Sequence, residues 1–364
     1  MNMSNFSIWE KEAFFADADI VIVGAGFMGL WTAIEVKKSR PQLNVLVVER
    51  NTTSLGASTR NAGFACFGSP TELLSDIETM GKDAMLQQIE NRYKGIQKIR
   101  KNFSDSTLHF DPCGGFECFD NDISELENKL HCLNKDLYGI TGDAATFQQN
   151  KDLLSHFRLT CFTSIIQNKL EGSLHSGYYL KALTQKAQLL GVDILFGFKI
   201  IEWNSYENFV EVLAEEGKLH CKTLVFCTNA FSNDLIKGIK MSPARGQVIL
   251  TSAIENLPLK GTFHFDEGFY YWRNLGNRIL LGGARNIAFE DEETTELSIT
   301  KTIQDKLESF LEKHLALNCI YTIEHRWAGI MAFTDDKQPI LHSVSDNVFA
   351  AVACNGMGVS LTPI

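Results

Sequence analysis

The sequence is short of positive charge. Lys and Arg number 34 against 44 Asp and Glu, which leaves a formal net charge of −10 and a pI of about 5.4. That balance argues against nucleic acid or an anionic membrane surface as the main partner. Nor do residues 1–16 read as a secretory leader, since they have no basic start followed by an apolar core and a small-residue cleavage site. No apolar run is long enough to span a membrane. The longest, around Ile20 to Ile34, is broken by glycines. The nine cysteines are odd in number and irregularly spaced, which excludes a secreted disulfide framework and points to free thiols in a cytoplasmic setting. There is no internal repeat, no low-complexity segment and no second GxGxxG unit. No metal site is read from the sequence.

What is present is ample core material. Hydrophobic residues make up 45% and charged residues 21% of 364 positions, and that length predicts two domains. The most informative stretch is Asp17 to Arg50. A β-branched run, Ile20-Val21-Ile22-Val23, leads into Gly24-Ala25-Gly26-Phe27-Met28-Gly29. A helical segment from Leu30 to Lys38 and a second apolar run from Leu43 to Val48 follow, ending on Glu49 and Arg50. This strand–glycine turn–helix–strand order binds dinucleotides. Gly24 permits the tight turn, Gly26 lets backbone approach a pyrophosphate, and Gly29 lets helix pack on strand. Unpaired N–H groups at the helix start face the phosphates. Glu49 stands 20 residues after Gly29, where a carboxylate accepts bonds from ribose hydroxyls and repels a 2′-phosphate.

The next stretch, Gly56 to Gly68, is small and polar, then aromatic, and suits close approach to a flat ligand. Helices are expected at Pro70 to Met80, Lys82 to Lys101, Ser124 to Leu137 with Ser124 as cap, Tyr178 to Leu190, and Thr294 to Leu315. A strand pair is expected between Leu108 and Phe119. Further strands are expected at Val192–Phe196, Phe198–Trp203, Glu207–Ala214, His220–Phe226, Gly246–Thr251, Thr262–Phe265, Phe269–Arg273, Arg278–Gly282, Glu324–Phe333 and near Val348–Cys354, with Gly276-Asn277 as a hairpin turn. The strand ending at Phe226 runs into Thr228-Asn229-Ala230, a second place for a nucleotide over strand ends. Trp9, Phe14 and Phe15 predict an N-terminal arm, residues 1–16, packed on the body. His175 reads as a helix-entry cap or core residue.

Three pieces together resemble a known family: the first fingerprint with Glu49, the Gly56-to-Phe67 segment, and the closing Trp327-Ala328-Gly329, Asp336, Pro339 and Asn355-Gly356-Met357-Gly358. The chain resembles the FAD-dependent D-amino acid oxidase/glycine oxidase superfamily, most of all its γ-glutamylputrescine oxidase-type amine-oxidising branch. The resemblance implies an α/β fold, a Rossmann-like FAD-binding domain interleaved with a β-rich α+β substrate domain. Residues 17–107, 150–240 and 320–364 would form the first, and 108–149 and 241–319 the second. It implies FAD as cofactor. Ala57, Ser58, Thr59, Arg60, Asn61, Ala62 and Gly63 would run along the pyrophosphate, ribityl chain and flavin edge. Ile200 would meet the adenine, and Thr228, Asn229 and Ala230 would close over the adenosine side. Gly329, Gly356, Met357, Gly358 and Val359 would sit near the isoalloxazine. Family relatives usually continue past this point into a helix of several turns, so a trimmed or missing final helix is expected.

With no second nucleotide unit, electrons are expected from an organic substrate, an amine or (N-substituted) amino acid, with oxygen or another acceptor reoxidising the flavin. Tyr270, Tyr271, Trp272 and Trp327 are candidates for an aromatic wall. Strand alternation puts Tyr270 and Trp272 on one face and Tyr271 on the other, and the resemblance favours Tyr271. Met331 stands where glycine and D-amino acid oxidases carry a carboxylate-clamping arginine, which turns the expectation from a small α-amino acid towards amines and larger amino compounds. Arg326 and Arg273 are the alternative sources of charge. Three rival readings are a flavin disulfide reductase built on Cys113 and Cys118, a tRNA-modifying flavoprotein, and an inactive FAD-binding subunit. The cysteine pair lies 84 residues beyond Gly29 and at odd spacing in a strand-like context, which disfavours the first.

Overall fold

The computed structural model describes residues 6–315 and 319–364. Two eight-stranded sheets organise them. In the first, Ala18–Val23 lies between Val45–Glu49 and Lys218–Phe226, all parallel, and Val192–Phe196 and Val348–Val352 extend it on the two sides. Central strands buried on both faces explain why Ile20 to Val23 and Val45 to Val48 read as continuous apolar runs. The helices Phe27–Ser39 and Ser176–Leu189 cover one face, where Trp31 Nε1 donates to Tyr179 Oη at 2.6 Å deep in the core.

The second sheet runs Ile323–Phe333, Ser242–Thr251, Arg278–Gly283, Tyr270–Leu275, Thr262–Phe265, Gly115–Phe119, Ser164–Asn168 and Gln148–Gln149. It is antiparallel except where Thr262–Phe265 meets Gly115–Phe119. Tyr270 and Trp272 face a separate aromatic core with Phe162, Phe263 and Phe310, so Tyr271 faces the other way. The strands of the two sheets alternate along the chain, which gives the interleaved α/β fold. Ser164–Asn168 and Ile323–Phe333, expected with the nucleotide-binding segments, belong to the second sheet.

Other expectations need correction. The first helix begins at Phe27, directly on the glycine turn. Of the pair expected from Leu108 to Phe119, only Gly115–Phe119 is a strand. Ser104 Oγ accepts from Thr107 N and starts a short helix, Asp105–Leu108, which takes in Leu108, and the rest of the other expected strand keeps one isolated bridge, Asp111 to Ser173. Ser124 lies inside its helix, because the Asp122 carboxylate takes both its N–H and its hydroxyl. The late helix starts at Lys301, since residues 294–300 are held extended around Arg245 and Gln247. Of the N-terminal arm, residues 1–5 lie outside the described residues. Trp9 and Phe14 are exposed, and it is Phe15 that packs, stacked on Phe6 and tilted on Phe198. No helix among the described residues is long and apolar enough to cross a membrane.

Candidate active site

One cavity of about 690 Å³ runs from the glycine turn to the second sheet. Its first end is built by close packing. A Cβ on Gly29 would fall 1.9 Å from the Gly24 carbonyl oxygen, and one on Gly24, at φ 104°, would meet Cys227 O at 2.8 Å. Both glycines are therefore obligatory for this strand–helix approach. Gly29 does its work by packing and does not line the cavity, whereas Gly24, Gly26, Phe27 and Met28 do. Ser58 Oγ accepts from Phe27 N at 2.9 Å, which brings the loop over the helix start. Glu49 is 9% exposed. One carboxylate oxygen accepts from Ala25 N at 3.2 Å and the other from Asn51 N and Nδ2. Arg50 lies over the Phe231 ring, and Ile200, Thr228 and Asn229 complete this end. Ala230 is buried in a neighbouring apolar cluster.

The loop Ala57 to Gly63 forms the long wall. Asn61 sets its shape: Nδ2 donates to Ala57 O and Ser58 O, while Oδ1 accepts from Gly63 N and Ser176 Oγ. Thr59 turns away to Ser54 O and does not line the cavity. Arg60 Nη1 donates to Ala328 O at 2.9 Å, and Trp327 Nε1 donates back to Arg60 O at 3.0 Å. Trp327 therefore pins the loop from outside the cavity. Arg326 points elsewhere again, paired with Glu308 at 2.8 Å and Gln304 at 2.7 Å. Arg273 is buried and donates to the carbonyls of Ala62, Gly63 and Leu174. Neither of these arginines lines the cavity.

Opposite the loop, Val348–Val352 turns into the four-residue helix Gly358–Leu361 through Ala353, Asn355 and Gly356, all at positive φ. Asn355 Oδ1 accepts from Thr334 N at 2.9 Å and fixes that turn. Gly356, Met357, Gly358 and Val359 line the cavity with Gly329, where a Cβ would sit 2.9 Å from Arg60 Cβ.

At the second sheet the cavity is aromatic. Tyr271, Met331 and Gly329 line it, and Phe64, His264, Phe269, Arg285, Phe289 and Phe333 join them. Phe64 meets both Tyr271 and His264 edge-on, at 5.9 and 5.2 Å. Gly246 and Gly282 leave room beneath. A Cβ on Gly246 would meet Met331 Cε at 3.0 Å, and one on Gly282 would meet the Tyr271 ring at 2.5 Å. Burial pushes the Tyr271 hydroxyl up to about 12, partly offset by the Arg285 charge, so it stays a neutral donor. Burial drops His264 to about 4, so its imidazole is neutral, and Nε2 has no hydrogen-bond partner among the described residues. Phe64 lies in the stretch that the sequence singled out for a flat ligand, and the others escaped sequence reasoning because they come from strands and turns with no motif spacing. A strand-alternation count from Tyr271 was the one signal available.

The cysteine rival loses its basis. Cys113 and Cys118 are free thiols. Cys113 lies before the strand and contacts Ser173 Oγ, while Cys118 is buried in the core with its pKa raised well above the usual thiol value by burial. His175 is a helix cap, its Nδ1 accepting from Tyr178 N.

A glycine-built dinucleotide cradle continuous with a chamber on an interleaved antiparallel sheet defines a flavin-dependent oxidoreductase. The family model described as FAD dependent oxidoreductase, DAO, matches residues 19–364, and the chain belongs to that family. Its cofactor is FAD. The chain is 22% identical to a probable oxidoreductase, OrdL, of Haemophilus influenzae, over 95% of this chain and 80% of the relative. Among solved structures it is similar in fold to L-proline dehydrogenase from P. horikoshii, with TM-score 0.77 and 17% identity over 96% of this chain and 91% of the other. Glycine oxidase from Geobacillus kaustophilus aligns with TM-score 0.70 and 18% identity over 95% and 92%.

Proposed function

We propose that this protein oxidises the C–N bond of an amine or amino acid at the chamber formed by Tyr271, Met331 and Phe64. The observation that carries the reading is the continuity of the cavity: the dinucleotide cradle opens directly into that aromatic chamber. The cradle fits FAD, because Gly24 and Gly26 line it with no side chain at the turn and the Glu49 carboxylate stands beside them. Bound FAD would accept a hydride from the carbon beside nitrogen, leaving an imine that water hydrolyses.

The chain's own residues do the rest. Gly26, Phe27 and the loop from Ala57 to Gly63 hold the dinucleotide, with Ile200, Thr228 and Asn229 at the adenosine end. Apolar walls disfavour an ammonium ion, so the amine binds neutral and its nitrogen lone pair is available. Tyr271, un-ionised, donates a hydrogen bond to the substrate. The wall residues Phe64 and Met331 exclude water. The names of the structural neighbours, which act on proline and glycine, agree with a substrate of this class, and oxygen or another acceptor would remove the electrons. The test is anaerobic mixing of the yellow protein with amines, N-methyl amino acids and D-amino acids. Bleaching of the flavin by one class supports the reading, and a flavin that none of them reduces overturns it. Peroxide on readmitting air would identify oxygen as acceptor.

A further inference from the structure

Arg285 brings its side chain into the aromatic chamber. It follows the strand Arg278–Gly283, and the chain leaves that strand through two left-handed residues, Gly283 at φ 125° and Ala284 at φ 61°. A Cβ on Gly283 would stand 2.0 Å from Phe269 O, so the turn is tight. Ala284 is fully buried and carries a Cβ in a conformation that costs energy, which the surrounding packing must enforce. The result is that Arg285 enters the cavity wall beside Tyr271.

Its guanidinium is half-buried. The central carbon lies 4.9 Å from the Phe289 ring centroid and 4.6 Å from that of Phe333. Those rings hold the guanidinium by cation–π contact, while its N–H groups meet no acceptor among the described residues. The acids around it are Glu292, Glu293 and, on the cavity rim, Glu267. Glu292 is already held by Arg245, whose Nε and Nη2 donate at 2.8 and 2.9 Å. Gln247 and Thr300 add further bonds. Glu267 and Glu293 are exposed. The other arginines near the chamber, Arg60 and Arg273, are bound to backbone carbonyls.

We infer that Arg285 is the anchor for a substrate carboxylate, so that the protein takes amino acids or N-substituted amino acids in preference to simple amines. This rests on the amine-oxidising reading and deepens it. A flat cation held by rings leaves its N–H groups for an acceptor, and a carboxylate takes them with two parallel bonds. Met331 occupies the strand Ile323–Phe333, and the charge it lacks arrives from the far side of the intervening strand Ser242–Thr251. The same cation repels polyamines.

The experiment titrates the FAD-loaded protein with benzoate and with its uncharged analogue benzamide, following the flavin absorption spectrum. Arg285→Gln and Arg285→Lys are compared with the native protein. A charge-assisted bidentate contact predicts that benzoate affinity falls about 10- to 100-fold in Arg285→Gln, with benzamide unchanged and FAD content retained. Arg285→Lys should recover part of the loss. Reduction by amino acids should fall in parallel, while reduction by their decarboxylated amines changes less than about threefold. Benzoate binding that ignores the substitution overturns the inference, as does a native preference for benzamide, sulfate or phosphate. If amines bleach the flavin but benzoate binding ignores Arg285, only this inference fails. If benzoate binding needs Arg285 but no amine or amino acid reduces the flavin, the anion site stands and the amine-oxidising reading fails.

Discussion

Arg245→Met offers a sharp test of how the sheet end of the cavity is held. Arg245 is 4% and Glu292 1% exposed, and they are joined by two short bonds. Gln247 Nε2 donates to both oxygens of Glu292 at 3.0 Å, and Thr300 Oγ1 donates at 3.1 Å. Burial alone would raise the Glu292 carboxyl, but the bonds from Arg245 and Gln247 and the Arg245 charge hold it below its ordinary value. Removing the cation leaves a buried carboxylate with two neutral donors. Breaking such a pair costs about 3–5 kcal/mol, whereas replacing both partners by apolar groups is often near neutral. At about 2–4 °C per kcal/mol, Arg245→Met should lower Tm by about 6–20 °C. The double variant Arg245→Met, Glu292→Leu should recover more than half of that. Differential scanning calorimetry at neutral pH is the assay. The sign of the pH effect follows from the lowered carboxyl. Its stabilisation is complete above the ordinary glutamate value and is lost as pH falls through the lowered folded value, so the single variant should show a shallower acid limb. A single variant within about 1 kcal/mol of the native protein would refute the argument, as would a double variant no better than the single.

Gly29→Ala should give a colourless protein, because its Cβ has no room beside Gly24 O; FAD content after purification checks this. Gly282→Ala should push the Tyr271 ring, and a misplacement of that order predicts about a 100-fold loss in flavin reduction rate with FAD still bound. His264 titrates near 4, well below an ordinary histidine. The unfolded chain binds the extra proton first, so stability should fall as pH drops from the ordinary histidine value towards 4, by up to about 1.4 kcal/mol per pH unit. His264→Asn should flatten that slope in urea unfolding.

The cofactor end was legible because its requirements are local. Gly24, Gly26, Gly29 and Glu49 fall within one strand–helix–strand unit, and each residue type answers a steric or hydrogen-bonding need of that unit. The same holds for the loop Ala57 to Gly63, although the sequence could not say that Thr59 faces away or that Asn61 shapes the loop. The substrate end is built by cross-strand pairing. Alternation separated Tyr271 from Tyr270 and Trp272 correctly, because a strand has only two faces. It could not show that Trp327, on the same parity as Met331, lies past the cavity rim under Arg60. Arg285 was invisible for a related reason. Gly282-Gly283-Ala284 permits a left-handed exit from the strand, but only the packing of Phe269 against it makes the turn that aims Arg285 inward. The helix expected from Thr294 starts late because Arg245 and Gln247 claim backbone groups of Glu296 and Thr300 that the regular element would have used.

The reciprocal bonds between Arg60 and the strand Ile323–Phe333, with Arg273 on Ala62 and Gly63, tie the loop to two strands of the second sheet, and Ser58 Oγ ties it to Phe27 N at the start of the helix Phe27–Ser39. That loop is thus a shared hinge-pin. Anyone transplanting the second sheet into a relative to change what it oxidises would have to move residues 54–64 with it, or the graft would arrive without its fastening and the nucleotide cradle would loosen at the same stroke.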